Sequence, residues 1–188
     1  GDRTWSRATA LGPGLASNDN NWTPYGKPAA GESVFFNAVS TMNCNLDAAG
    51  VTLSSMNINA GYAGQIVMST DVVLLGNFVK NDGGFGIGSN NLILSGDFIN
   101  YAGGLSVGVG GKIVFAGSTS QKFDGGMVTF EVKSTSEVVN AANPSTSVNG
   151  SVFITSGTLK GGTEIIVREN WTQTGGQFIA GVSTVAFK

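Results

Sequence analysis

The stretch `GNFVKNDGGFGIGSNNLIL`, Gly76 to Leu94, is followed after Ser95 by `GDFINYAGGLSVGVGGKIVF`, Gly96 to Phe115. The second reads as a worn copy of the first. Phe78 is followed by Phe85, then by Leu92 and Leu94, and Phe98 by Leu105, then by Ile113 and Phe115. A third copy begins at Trp171, with Phe178, Val185 and Phe187 at spacings of 7, 7 and 2 residues, the same as in the first copy. Each copy carries a Gly-Gly pair near its second apolar anchor: Gly83-Gly84, Gly103-Gly104 and Gly175-Gly176. Self-similarity at about 20 residues is the mark of a stacked repeat, in which no single unit buries its own apolar face.

The units are built of strands. In Val128-Thr-Phe-Glu-Val-Lys133, Val128, Phe130 and Val132 alternate with Thr129, Glu131 and Lys133, the period of a half-buried strand. The same reading covers Val152–Ile154, Ile165–Val167 and Thr184–Lys188, while Gly recurs too often for long helices. The expected fold is all-β, a β-solenoid with coils of about 20 residues. Stacking at ~4.8 Å sets Phe78 over Phe98 and Leu94 over Phe115, and seven or eight coils would make a rod of about 35–40 Å. The predicted core columns are Phe78, Phe85, Leu92, Leu94, Phe98, Leu105, Ile113, Phe115, Trp171, Phe178, Val185 and Phe187.

Residues 1–32 differ. They hold three of the four prolines and two of the three tryptophans without clear alternation, and are expected to form a cap or irregular first coil ahead of repeats in 33–188. No cap is evident at the other end, so Thr184, Val185, Phe187 and Lys188 form a candidate assembly edge, open to strand addition unless the chain continues. The chain opens on Gly1, not Met, which leaves room for a removed signal peptide.

Composition narrows the chemistry. The 188 residues include 29 Gly, ten Lys or Arg, twelve Asp or Glu, one Cys and no His, for a net charge of −2. Without imidazole there is no Ser-His or Cys-His pair, and no His ligand for zinc, copper or haem. Cys44 alone excludes an internal disulfide and all-Cys metal sites, and is expected to be buried. No basic patch suits nucleic acid, and no apolar run reaches the ~20 residues of a membrane helix.

Several motifs invite a functional reading. Gly104-Leu-Ser-Val-Gly108 fits the G-x-S-x-G nucleophile elbow, yet no base exists to activate Ser106, and the segment reads as one rung of the ladder. Gly83–Asn91 is reminiscent of a calcium-binding nonapeptide, but Gly88 stands where the Asp belongs, leaving Asp82, Asn90 and Asn91 as oxygen ligands. Glycoside hydrolysis needs two carboxylates. Asp82 and Asp124 each precede a Gly-Gly pair and could share a corner, whereas Asp97 aligns with Asn77 and Asn170 as a polar turn column. Tyr25, Tyr62 and Tyr101 are candidates for stacking on sugars or for covering corners, and Asn21, Asn149 and Asn170 begin N-x-S/T sequons.

Two segments carry a family resemblance. Asn21-Trp22, Pro28 and Gly31-Glu32-Ser33-Val34-Phe35-Phe36 resemble the opening of bacterial extracellular β-helix regions. Asn170-Trp171 through Phe187 looks like the N-W-x-x-x-G-G-x-F unit of such surface proteins, including autotransporter-passenger-like regions. The resemblance implies a right-handed parallel β-helix, secreted or displayed at the cell surface, with adhesive, scaffolding or coat roles and no catalytic residues. The expectation is therefore a non-enzymatic extracellular structural protein, a subunit of a surface filament, coat or adhesin assembling end to end. It would need no cofactor. Its partners would be itself, other surface components or glycans, with no nucleic acid and no membrane insertion. The alternative is a carbohydrate-binding or carbohydrate-cleaving β-helix module.

Overall fold

A computed structural model describes residues 1–8 and 14–188. Strands stack into a parallel β-solenoid of about 8 turns with coils of roughly 20 residues. The only helical element among the described residues is a single 3-10 turn, Asp19–Asn21. Each coil visits three walls in order. One coil runs through Gln65–Met68, Val72–Leu74 and Phe78–Lys80, and the next through Gly84–Gly86, Asn91–Leu94 and Phe98–Asn100. We call these the first, second and third walls. Later coils run with fewer breaks: Met127–Asn140 and Thr146–Lys160 each pass along all three walls as one bent strand.

The core is a set of residue columns parallel to the axis. Cys44, Ile66, Phe85 and Leu105 stack on the first wall. Leu53, Leu74, Leu94, Phe115, Val132 and Ile154 stack on the second. Met56, Phe78, Phe98 and Phe123 stack on the third. Every second residue points inward because the strand period is two, and the inward residues of three walls meet in one continuous apolar interior. Phe78 pairs with Phe98 and Leu94 with Phe115, as the repeat predicts.

The third copy sits one wall earlier in the coil than its spacing suggests. Trp171 pairs with Val152 on the second wall, Phe178 with Leu159 on the third, and Val185 and Phe187 with Ile165 and Val167 on the first. Each wall with its corner takes about seven residues, so a 7-7-2 pattern fits any of three phases. Val128 is a second departure. It pairs with the exposed Asn149 while Met127 pairs with the buried Val148, and a register shift before Phe130 restores the inward phase. The corner consumes a residue and inverts the alternation.

The first 32 residues are partly regular. Asp2–Trp5 forms a parallel third-wall rung against Ser33–Phe36, and Leu15 bridges to Asn45 on the first wall. Trp22–Thr23 then runs antiparallel to Asp2–Trp5 and covers its outer edge. Trp5, Trp22 and Phe36 pack with ring centroids 5.1 to 5.9 Å apart, and both indoles donate to backbone carbonyls, Trp5 to Met42 and Trp22 to Ala16. The third-wall end of the interior is thus covered, with both indole N–H groups satisfied.

Candidate functional sites

Two features stand apart from the uniform stack: a groove on the outer surface and the C-terminal end. The groove arises where the first wall is discontinuous. Leu105–Ser106 pairs on one side with Phe85–Gly86, but the four-stranded sheet it belongs to ends there. The wall resumes at Met127–Val128, which pairs with Val148–Asn149 in the other sheet. The intervening turn leans back toward the earlier coil, since the Gly108 amide donates to the Gly88 carbonyl at 2.8 Å. Between the two stacks lies a cavity of about 660 Å³.

Phe153 and Lys112 bring the second wall to the groove. Phe153 stands on the outward face between Glu131 and Thr172, its neighbours in register. Lys112 Nζ donates to Glu131 Oε1 at 2.6 Å and lies 5.7 Å from the centre of the Phe153 ring. The other Glu131 oxygen accepts from Thr155 Oγ1 at 2.8 Å. Burial pushes the Glu131 carboxyl up, but the hydrogen bonds from Lys112 and Thr155 and the charges of Lys112 and Lys133 outweigh it and hold the group below its ordinary value. At the corner, Ser151 Oγ donates to Glu169 Oε2 at 3.1 Å and accepts from the Asn170 amide. Val128 and Leu105 supply apolar lining, with Thr129, Asn149 and Ser106 beside them.

The G-x-S-x-G segment therefore borders the groove without forming an elbow. Ser106 lies in a strand paired with Gly86, and no turn presents it to a helix. Sequence reasoning placed Glu131 and Lys133 on an outer face but missed Lys112, Phe153 and Glu169. Their meeting depends on which wall each rung occupies, and spacing alone leaves that phase open.

The acids singled out in the sequence lie away from the groove. Asp82 accepts from the Gly61 and Gly83 amides, each at 2.9 Å, and these bonds hold its carboxyl below the ordinary value. Asp124 lies within the strand Gln121–Gly125, paired with Ile99, so it does not share a corner with Asp82. It accepts from the Gly125 amide and from Tyr101 Oη at 3.2 Å. Asn77 and Asp97 do form a polar turn column: Asn77 Oδ1 accepts from the Asp97 amide and Asp97 Oδ1 from the Lys122 amide. Asn170 is not in that column, being one wall away. Asn90 donates its side-chain amide to the Met68 and Ile87 carbonyls, and the Asn91 backbone amide donates to Asp71 Oδ1. Among the described residues, no three His, Cys, Asp or Glu side chains gather as a metal-holding group.

The aromatics divide. Tyr62 is fully buried against Phe36 and donates its hydroxyl to the Met42 carbonyl, so it covers a corner from within. Tyr25 and Tyr101 are exposed. Of the three sequons, Asn21 is buried with its amide bound to the Leu15 carbonyl, whereas Asn149 and Asn170 are exposed.

Among the described residues, Thr184–Phe187 is the last rung and pairs with Glu164–Val167. Trp171 and Phe178 meet edge to face at 4.9 Å yet are only partly buried, as is Val185, and Phe187 is 62% exposed. Compared with known proteins, the chain matches no family model, and it has no significant match among curated proteins or solved structures.

Proposed function

We propose that this chain is a non-enzymatic structural protein of the cell exterior, a stiff β-solenoid that serves as a subunit of a surface coat or adhesin. The observation that carries the reading is the ladder: rungs pair in register along three walls and their inward residues form one apolar core from Trp5 to Val167. The rung Thr184–Phe187 carries Val185 and Phe187 beside a backbone edge, and such an edge with apolar side chains is a template for strand addition.

Trp22–Thr23 covers the third-wall rung Asp2–Trp5, so head-to-tail joining would have to accommodate that strand. Two C-terminal edges can meet about a two-fold axis, with Thr184–Phe187 of each copy antiparallel to its mate. Light scattering over a concentration series tests this directly. A two-fold pair that Val185→Lys dissociates, with the melting temperature of the monomer unchanged, supports the reading. A wild-type monomer at every concentration overturns it.

A further inference from the structure

The groove at the break in the first wall is a candidate binding site, and the geometry points to a short neutral oligosaccharide as its ligand. The proposal does not depend on the association of C-terminal ends. Three observations carry it.

The first is the break itself. Elsewhere the coils bond rung to rung, but the ladder from Leu105–Ser106 is not continued onto Met127–Val128. A stack built only for rigidity gains nothing from forfeiting backbone bonds there. The resulting cavity of about 660 Å³ falls within the range of small-molecule clefts.

The second is the chemistry of the lining. A sugar ring presents C–H faces and an equatorial belt of hydroxyls, and so asks for an apolar face flanked by hydrogen-bonding groups. Phe153, Leu105 and Val107, all partly exposed, supply the apolar surface, and Asn149, Ser151, Thr129 and Glu169 the polar rim. Several of these groups retain capacity. Among the described residues the Asn149 side-chain amide has no protein partner, and Glu169 engages Ser151 through Oε2 only. The amide can both donate and accept, and the carboxylate can accept from two vicinal hydroxyls.

The third is charge. Among the lining residues Lys112 is paired with Glu131 at 2.6 Å, which leaves Glu169 as the lining charge without a charged partner. An anionic polymer would meet that carboxylate with no unpaired cation in the lining to offset it. A neutral glycan meets no such penalty.

The test uses the full chain labelled with ¹⁵N and titrated with hexaoses of β-1,4-glucose, β-1,4-xylose, β-1,4-N-acetylglucosamine and α-1,4-glucose. Oligogalacturonate and a neutral extended hexapeptide serve as controls. At least one neutral hexaose is expected to shift the amides of 105–111, 128–129 and 149–153 in a saturable way. Phe153→Ala and Asn149→Ala are each expected to weaken that binding tenfold or more while the melting curve stays cooperative. Tyr25→Ala, far along the rod, leaves it unchanged. The proposal is overturned if no neutral hexaose shifts those amides, if oligogalacturonate or the peptide binds there more tightly, or if binding is indifferent to both groove variants.

Discussion

The rings of Phe78 and Phe98 lie face over face in adjacent rungs of the third wall, 4.7 Å apart and inclined by only 4°. That separation is the rung spacing of a β-sheet, so the aromatic stack follows the backbone ladder and does not compete with it. Phe123 continues the column below Phe98, and all three are fully buried. Phe98→Ala therefore opens a cavity between two rigid rungs that cannot collapse along the axis. The expected loss is about 3–5 kcal/mol, read as a lowered midpoint in urea unfolding.

The legibility of this column in the sequence has a simple cause. Phe78 and Phe98 are successive occupants of one position, and their neighbours Leu92 and Leu94 map onto Ile113 and Phe115 in the same phase. Trp171 was misplaced because spacing reports the length of a wall and its corner, which is nearly equal for all three walls. The last rung could be read from Val185 and Phe187, since both belong to an alternating run. The groove could not. It depends on Lys112, Glu131 and Phe153 meeting across three coils, and on a ladder break that leaves no local mark in the chain. Lys80 was invisible for another reason: an inward-facing lysine contradicts the alternation that identified its strand.

Gly31 and Gly125 have nearly the same backbone, with φ of 79° and 84°, but different surroundings. A Cβ at Gly31 meets nothing within 4 Å, whereas one at Gly125 lies 1.8 Å from the Asn100 carbonyl oxygen. Gly31→Ala is expected to cost only the left-handed conformation, ~1–2 kcal/mol. Gly125→Ala must also push two coils apart and is expected to lose ~3 kcal/mol or more. Parallel thermal melts separate the two contributions. Equal losses would mean that corner conformation alone, without close coil approach, selects glycine.

Glu32 fastens the first rung to the second. Arg3 Nε donates to its Oε2 at 2.8 Å, Arg3 Nη2 to its Oε1 at 3.2 Å, and the Ala29 amide to Oε2 at 2.9 Å. These bonds, Arg3 foremost, lower its carboxyl from 4.5 to about 2. A depressed carboxylate stabilises the fold above its unfolded value and loses that contribution as pH falls through the folded one. Stability should accordingly decline between pH 4.5 and about 2. Glu32→Gln is expected to cost about 1 kcal/mol at neutral pH and to flatten the decline over that window, as measured by urea unfolding at several pH values.

Cys44 occupies the first-wall column against Ile66 and is 2% exposed. Burial pushes its thiol well above the ordinary value, with Asp47 adding to the shift. A neutral, covered thiol is unreactive, because the thiolate is the nucleophile. Labelling with an aromatic disulfide reagent should proceed at the rate of chain opening in native buffer and become immediate in denaturant. Fast stoichiometric labelling of the folded chain would contradict this position.

Lys80 is fully buried on the third wall, below Ile58 and above Asn100. Its ammonium reaches to the next corner, donating to the Ala102 carbonyl, with Asn100 Oδ1 at 3.5 Å. Burial lowers its pKa from the ordinary 10.5, opposed in part by Asp82. Below the folded value the amine is charged in both states, and the fold bears the whole cost of burying it. Between the folded value and 10.5 the unfolded chain holds the extra proton, so stability rises with pH. Tyr62 acts in the opposite sense, since burial raises its pKa, but only above its ordinary value of 10.0. Urea midpoints of the wild type should therefore climb as pH rises through the folded value of Lys80 toward about 10. In Lys80→Met this climb should vanish. The thioether extends the apolar column from Ile58, and the exposed Ala102 corner can bond water in place of the lost amine. The variant is thus expected to be as stable as the wild type at neutral pH, or more so. A wild-type profile as flat as that of the variant would mean that Lys80 enters the folded state with its proton held at no cost.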